Sequence, residues 1–139
     1  MQFDTQSKSD WSNYWQGRTH SKGGDVLEGV GIEHSAKLKN FWKNTFSHET
    51  ASVILDLGCG AGSALKWADH LPSAHLIGID ISYAALCVAR EKIKNLNVYV
   101  ASADQLPFRD NSIDLIVSQF GFEYAGPDTA SEIHRALKP

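Results

Sequence analysis

Residues 53–62 read VILDLGCGAG, with an acid, Asp56, two positions before the first of three closely spaced glycines, Gly58, Gly60 and Gly62. Three glycines in five positions exceed what a plain turn needs, and they let backbone approach a ligand closely. The apolar run of Val53, Ile54 and Leu55 reads as a buried parallel strand, and the helix-period pattern after Gly62 completes a strand, tight loop, helix unit. Such loops usually hold a pyrophosphate at the following helix N-terminus. Asp56 opposes that: at ~4 Å and an effective dielectric of ~20 it would repel an anion by about 4 kcal/mol, and it would attract a cation. The spacing agrees, because a dinucleotide fingerprint needs G-x-G-x-x-G, whereas this loop is G-x-G-x-G followed by Ser63. Cys59 within the loop reads as a small residue fitting a tight turn rather than as a nucleophile.

The motif DLGCGAG resembles the first motif of the class I S-adenosylmethionine-dependent methyltransferases, in particular the small-molecule enzymes of the type 11 kind. The resemblance implies a cofactor that has no phosphate and carries an ammonium, a carboxylate and a methyl-bearing sulfonium, which a loop adjoined by a carboxylate suits. The next segment, LIGIDIS at 76–82, ends an apolar run on Asp80, 22 residues beyond Gly58. A carboxylate there can accept from both ribose hydroxyls, at roughly 1.5–3 kcal/mol for each charge-assisted bond. NAD enzymes also place an acid at this point, so Asp80 alone does not choose the cofactor. Ile81 resembles the family's apolar contact to adenine. In the third segment, ASADQLPFRDNSIDLIVSQF at 101–120, the resemblance makes Asp104 an acceptor for the adenine amino group and gives Ala103 a backbone contact. It also has Pro107 and Phe108 fix the loop over the base, and it brings the backbone of Gln119 to the methionine end of the cofactor. The three motifs fall in the family's order over 52–139, and the match before 52 is poor.

A chain of 139 residues is one domain by length. Its net charge of −3 and pI of about 6.0 give no general basic field, and no Lys/Arg run exceeds a single residue, so nucleic acid is not the expected substrate. The N-terminus lacks a signal-peptide core and no stretch approaches a membrane span, which predicts a cytoplasmic protein with no membrane partner. Cys59 and Cys87 read as reduced. Six histidines, at 20, 34, 48, 70, 75 and 134, show neither H-x-x-x-H nor a paired Cys spacing, so no metal is expected.

The elements that must position these residues fall in two regions. Residues 1–50 read as an N-terminal cap. Its first 25 residues are polar with interleaved Trp11, Tyr14 and Trp15, and an amphipathic helix near 30–46 carries Leu38, Phe41, Trp42 and Thr45 or Phe46 on one face. The resemblance implies that Tyr14 or Arg18 reaches the cofactor carboxylate. Residues 51–139 read as an S-adenosylmethionine-binding Rossmann-like domain, incomplete at its end. Strands are predicted at 52–57, 75–80, 97–101 and 113–118, and helices at 62–70, 82–93 and 128–137. That alternation implies an α/β fold with a doubly wound parallel sheet. Ser82 is the expected cap of the second of these helices, Leu86, Ala89 and Ile93 its buried stripe, and Thr129 with Glu132 a capping box on the last. Ligands bind such sheets at the topological switch point, here between the strands at 52 and 113. Asp114 is assigned to structure.

The chain stops at RALKP, where the resembling family continues through a glycine turn into further strands. The expectation is therefore a truncated sheet with the strand at 113–118 as an exposed apolar edge, a possible route to a homo-oligomer. The resulting reading is a methyltransferase acting on a small molecule. The alternatives are a non-catalytic cofactor-binding fragment or regulatory subunit completed by a partner, and, less consistent with Asp56 and Ser63, a nucleotide-dependent oxidoreductase. Methyl transfer needs a general base only if the acceptor must lose a proton. Glu123, Tyr124 and His134 follow the fourth strand, and no catalytic residue is assigned among them.

Overall fold

The computed structural model describes residues 5–18 and 32–139, with side chains at 9–16 and 34–139. Two helices, α1 (Thr5–Arg18) and α2 (Ile32–Ser47), precede a sheet of four parallel strands: β1 (Val53–Leu57), β2 (His75–Asp80), β3 (Leu96–Val100) and β4 (Leu115–Val117). Between and after the strands lie α3 (Tyr83–Lys92) and α4 (Thr129–Ala136). The strand order is β3-β2-β1-β4, so the chain builds outward from β1 and then returns to β1's other side. The switch point between β1 and β4 is thus where the sequence put it.

Alternation along each strand divides the core between two faces. Ile54, Leu76 and Val117 pack with Trp42 and Phe46 of α2 and with Ala89 and Ile93 at α3, while Leu55, Leu57, Ile77 and Ile79 pack with Ile113 and Ala136 on the α4 side. By the same alternation Asp56 and Asp80 belong to the α2–α3 side.

Several local expectations are corrected. Residues 62–70 form no α-helix but a chain of turns around a short 3-10 segment, Leu65–Trp67, with i→i+3 bonds from Trp67 N–H to the Ala64 carbonyl (3.1 Å) and from Ala68 N–H to that of Leu65 (2.8 Å). Gly62 sits at φ 82° where the helix would begin, and Pro72 restricts Leu71 at the other end. Phe41 is 57% exposed and lies off the buried stripe of Trp42 and Phe46, one residue and about 100° around the helix. The capping box on α4 is absent. Asp128 holds the N-cap position, the Thr129 hydroxyl donates to Asp104 Oδ1 (2.6 Å), and Glu132 accepts from Leu106 N–H (2.7 Å) and from Arg135. Both side chains have tertiary partners that outcompete the local ones. Ser82, by contrast, caps α3 as expected, its Oγ accepting from Ala85 N–H (3.3 Å), and Leu86, Ala89 and Ile93 are all buried.

The fourth strand is shorter than its apolar run. Ile113 pairs with Leu137, Lys138 N–H donates to the Ile113 carbonyl (2.9 Å), and Leu115 and Ile116 are only half exposed at the edge. Asp114 is structural: Oδ2 accepts from Val53 N–H (2.8 Å) and Oδ1 from Lys138 Nζ (2.7 Å), which holds its carboxyl below the usual range. No described helix is long and apolar enough to cross a membrane.

Candidate cofactor site

Asp56 is the fourth residue of β1, opposite Gly78 of β2 and Val117 of β4. It is 1% exposed, and its Oδ1 has no hydrogen-bond partner among the described residues. Burial, and then the charge of Asp80, push its carboxyl well above the ordinary range. Asp80 ends β2 and is tied into the loop: Oδ2 accepts from Gly60 N–H (2.9 Å) and Oδ1 from Ser82 N–H (2.8 Å). Burial raises its pKa too, while the amides of Ser82, Gly60 and Ile81 pull it back. Each carboxylate oxygen keeps a second lone pair, so Asp80 can still accept from a ligand. A carboxyl whose pKa is raised by burial and by a neighbouring carboxylate is one whose ionised form a bound cation would stabilise.

The three loop glycines all have positive φ, 64° at Gly58, 51° at Gly60 and 82° at Gly62, but they face different neighbours. A Cβ on Gly58 would stand 3.0 Å from Gly121 Cα in the segment after β4, one on Gly60 would meet the Trp15 ring, and one on Gly62 would meet Ile93. Gly62 therefore serves packing against α3. Cys59 is buried, its Sγ against Gly78. Burial, then the charges of Asp56 and Asp80, raise its thiol pKa well above the ordinary value, so it is not a nucleophile at neutral pH. With both cysteines free, Ellman's reagent is expected to label the half-buried Cys87 and to reach Cys59 only on unfolding. Rapid labelling of both in the native state would contradict the buried loop.

The remaining predicted residues divide. Ile81 follows Asp80 directly and is half buried, and Ala103 packs against the α4-side core. Asp104 is turned toward α4, where Thr129 donates to Oδ1 and Gly126 leaves room for Oδ2. Gln119 lies beyond β4, and its side-chain Oε1 accepts from Trp42 Nε1 (2.5 Å) on α2. The structure thus brings Asp56, Gly58, Gly60 and Asp80 together directly, with Gln119 joined to α2 at the other side of the switch point. Glu123, Tyr124 and His134 are all exposed. Among the described residues no cluster of His, Cys, Asp or Glu could hold a metal.

Sequence reasoning missed three contributors. Helix α1 lays Trp15 over Gly60, and its Trp11 meets Tyr124 edge-on at 5.4 Å, spanning the loops after β1 and β4. The i, i+3, i+4 spacing of Trp11, Tyr14 and Trp15 carried the signal. Tyr14 lies edge-on to both tryptophans, and the Arg18 side chain is outside the described residues. Ser118 donates to the Leu57 carbonyl (2.8 Å) and accepts from Phe122 N–H (3.1 Å), clasping the ends of β1 and β4. Arg135 binds Glu132, Asp110 and the carbonyls of Leu106 and Phe108, holding the loop after β3 on α4.

A four-stranded parallel sheet with an acid-flanked glycine loop at its switch point defines the Rossmann-like methyltransferase class of fold. The methyltransferase domain family matches residues 54–139, and the chain belongs to it. It is 36% identical over 95 residues to a malonyl-[acyl-carrier protein] O-methyltransferase of Marinomonas sp., covering 64% of this chain and 35% of that protein. It is 29% identical over 116 residues to a demethylmenaquinone methyltransferase of Chlorobaculum parvum, covering 76% and 48%. A putative S-adenosyl-L-methionine-dependent methyltransferase of Methanococcus maripaludis superposes with a TM-score of 0.69 at 18% identity, over 94% of this chain and 59% of that one. The chain thus spans less than half the length of these curated relatives. S-adenosylmethionine is the cofactor of the class.

Proposed function

We propose that the protein is an S-adenosylmethionine-dependent methyltransferase acting on a small molecule. The observation that supports this most is the buried Oδ1 of Asp56, without a hydrogen-bond partner among the described residues, beside Asp80: such a carboxyl suits a cationic ligand, and the cofactor carries an ammonium and a sulfonium. In this reading Asp56 draws the cationic end, Gly58 and Gly60 let backbone come close, and Asp80 accepts from the ribose hydroxyls. Ile81 covers the base, Ala103 and Asp104 border it, and Gln119 lies at the methyl end. Gly62 holds the loop against α3 rather than touching the cofactor. The sulfonium supplies a methyl already activated for in-line displacement. What the chain must contribute is alignment, which can supply about 7–11 kcal/mol when two reactants are held. The two free cysteines support a cytoplasmic location. The β4 edge beyond Ile113 is where a second copy would pair.

Calorimetric titration with S-adenosylmethionine, S-adenosylhomocysteine and NAD tests the assignment: the first two are expected to bind and NAD is not, and binding of NAD alone would overturn it. Asp80→Ala is expected to weaken S-adenosylhomocysteine about 100-fold, from two charge-assisted bonds at ~1.5 kcal/mol each. Unchanged affinity in a folded variant would remove Asp80 from the site.

A further inference from the structure

Residues 101–112, between β3 and β4, form no helix or strand of their own, yet alternate residues of this loop are held in order by α4. Thr129 donates to Asp104 Oδ1, Glu132 Oε2 accepts from Leu106 N–H, and Arg135 donates to the carbonyls of Leu106 (3.1 Å) and Phe108 (2.8 Å) and to Asp110 Oδ1 (2.8 Å). The three helix residues are spaced by three, which puts them on one side of α4.

Arg135 is the centre of this grip. Its Nε and Nη2 bind the two carboxylate oxygens of Glu132 as a fork, at 2.8 Å each, so all five guanidinium N–H groups find acceptors. The ion pair thereby takes both backbone groups of Leu106, the N–H through Glu132 and the carbonyl through Arg135. Stability alone is a poor account of so many bonds: the Arg135 side chain is 31% exposed and that of Asp110 70%, and exposed ion pairs add little to folding. What a planar fork with every donor committed does supply is a fixed geometry, and the loop it fixes carries Asp104.

We propose that Arg135 is a positioning residue for the cofactor's base: with Glu132 it locks the loop after β3 so that Asp104, steadied by Thr129, meets the adenine amino group. This rests on the reading in which Ala103 and Asp104 border the base. Arg135 itself acts through the loop, and Asp104 keeps free lone pairs for the ligand beside its bond from Thr129.

Calorimetry on the full chain compares S-adenosylhomocysteine with S-inosylhomocysteine, the same molecule with a carbonyl in place of the adenine amino group. The native chain is expected to bind the inosine form at least ~30-fold more weakly, because a carboxylate set to accept from an amino group is left facing an oxygen. Asp104→Asn should remove that preference. Arg135→Lys keeps the charge but loses the fork, and should cut the preference at least ~5-fold in a chain that still folds. Glu132→Gln, which keeps the shape and loosens the same grip, should move it in the same direction and serves if Arg135→Lys does not fold. A role in stability alone would lower the melting temperature of both variants and leave the preference at its native value, which overturns the proposal while Asp104→Asn still shows the base assignment to hold. If the native chain binds neither compound or both equally, or if Asp104→Asn still prefers adenine, the base assignment falls and the proposal falls with it.

Discussion

Asp56→Asn is expected to make the chain more stable at neutral pH and worse at holding S-adenosylmethionine. The sign follows from the carboxyl's raised pKa, caused first by burial and then by Asp80. Below the unfolded value of 3.8 both states are protonated and the group adds no pH-dependent cost. As pH rises past 3.8 the unfolded chain releases its proton while the folded chain keeps it, so stability falls until the folded pKa is passed. Asparagine has no such slope. The variant's advantage should be near zero at pH 4 and grow toward pH 7, as the buried carboxyl must either hold its proton or ionise in a low-dielectric site. In a domain of this size each kcal/mol is roughly 3–5 °C of melting temperature. With cofactor present the order should reverse, because ligand stabilises only the form that binds it. Melting curves at pH 4.5 and 7, with and without S-adenosylmethionine, measure all of this. A pH-independent gain, or undiminished cofactor protection, would remove Asp56 from the role given to it.

Gly60→Ala should cost about 3–4 kcal/mol. Part, about 1–2 kcal/mol, is the left-handed backbone at φ 51°. The rest comes from Trp15, which is 3% exposed and whose Cζ2 and Cη2 would lie 2.6 and 3.0 Å from the new methyl. A rigid indole cannot yield as a flexible side chain would, so it must leave its seat and forfeit up to ~2–3 kcal/mol of burial. In a Trp15→Leu background the same substitution should cost only the backbone part. Equal costs in the two backgrounds, measured by urea unfolding, would mean that Trp15 does not rest on the loop.

What was legible in the sequence was what local pattern encodes. Val53, Ile54 and Leu55, then Leu76, Ile77 and Ile79, are apolar runs that only a doubly covered strand accommodates, and Asp56 and Asp80 interrupt them toward their carboxyl ends. Ser82 announced its helix because a cap is a contact between neighbours in sequence. Where the deciding contact is distant, the pattern failed. Thr129 and Glu132 have the spacing of a capping box, yet Asp104 and Leu106, more than twenty residues earlier, take both side chains. Helix α1 is mostly polar, and its aromatic residues find their seats on Gly60 and Tyr124, which no local window contains. Gln119 matched the family by position, but its amide orientation comes from Trp42, 77 residues away.

Helix α1 touches the loop after β1 through Trp15 and the segment after β4 through Trp11. The proposed cofactor site lies at the first of these loops. Both seats are on one helix, so lifting Trp11 from Tyr124 and lifting Trp15 from Gly60 are not independent movements. Any coupling carried through that helix would have to be reciprocal.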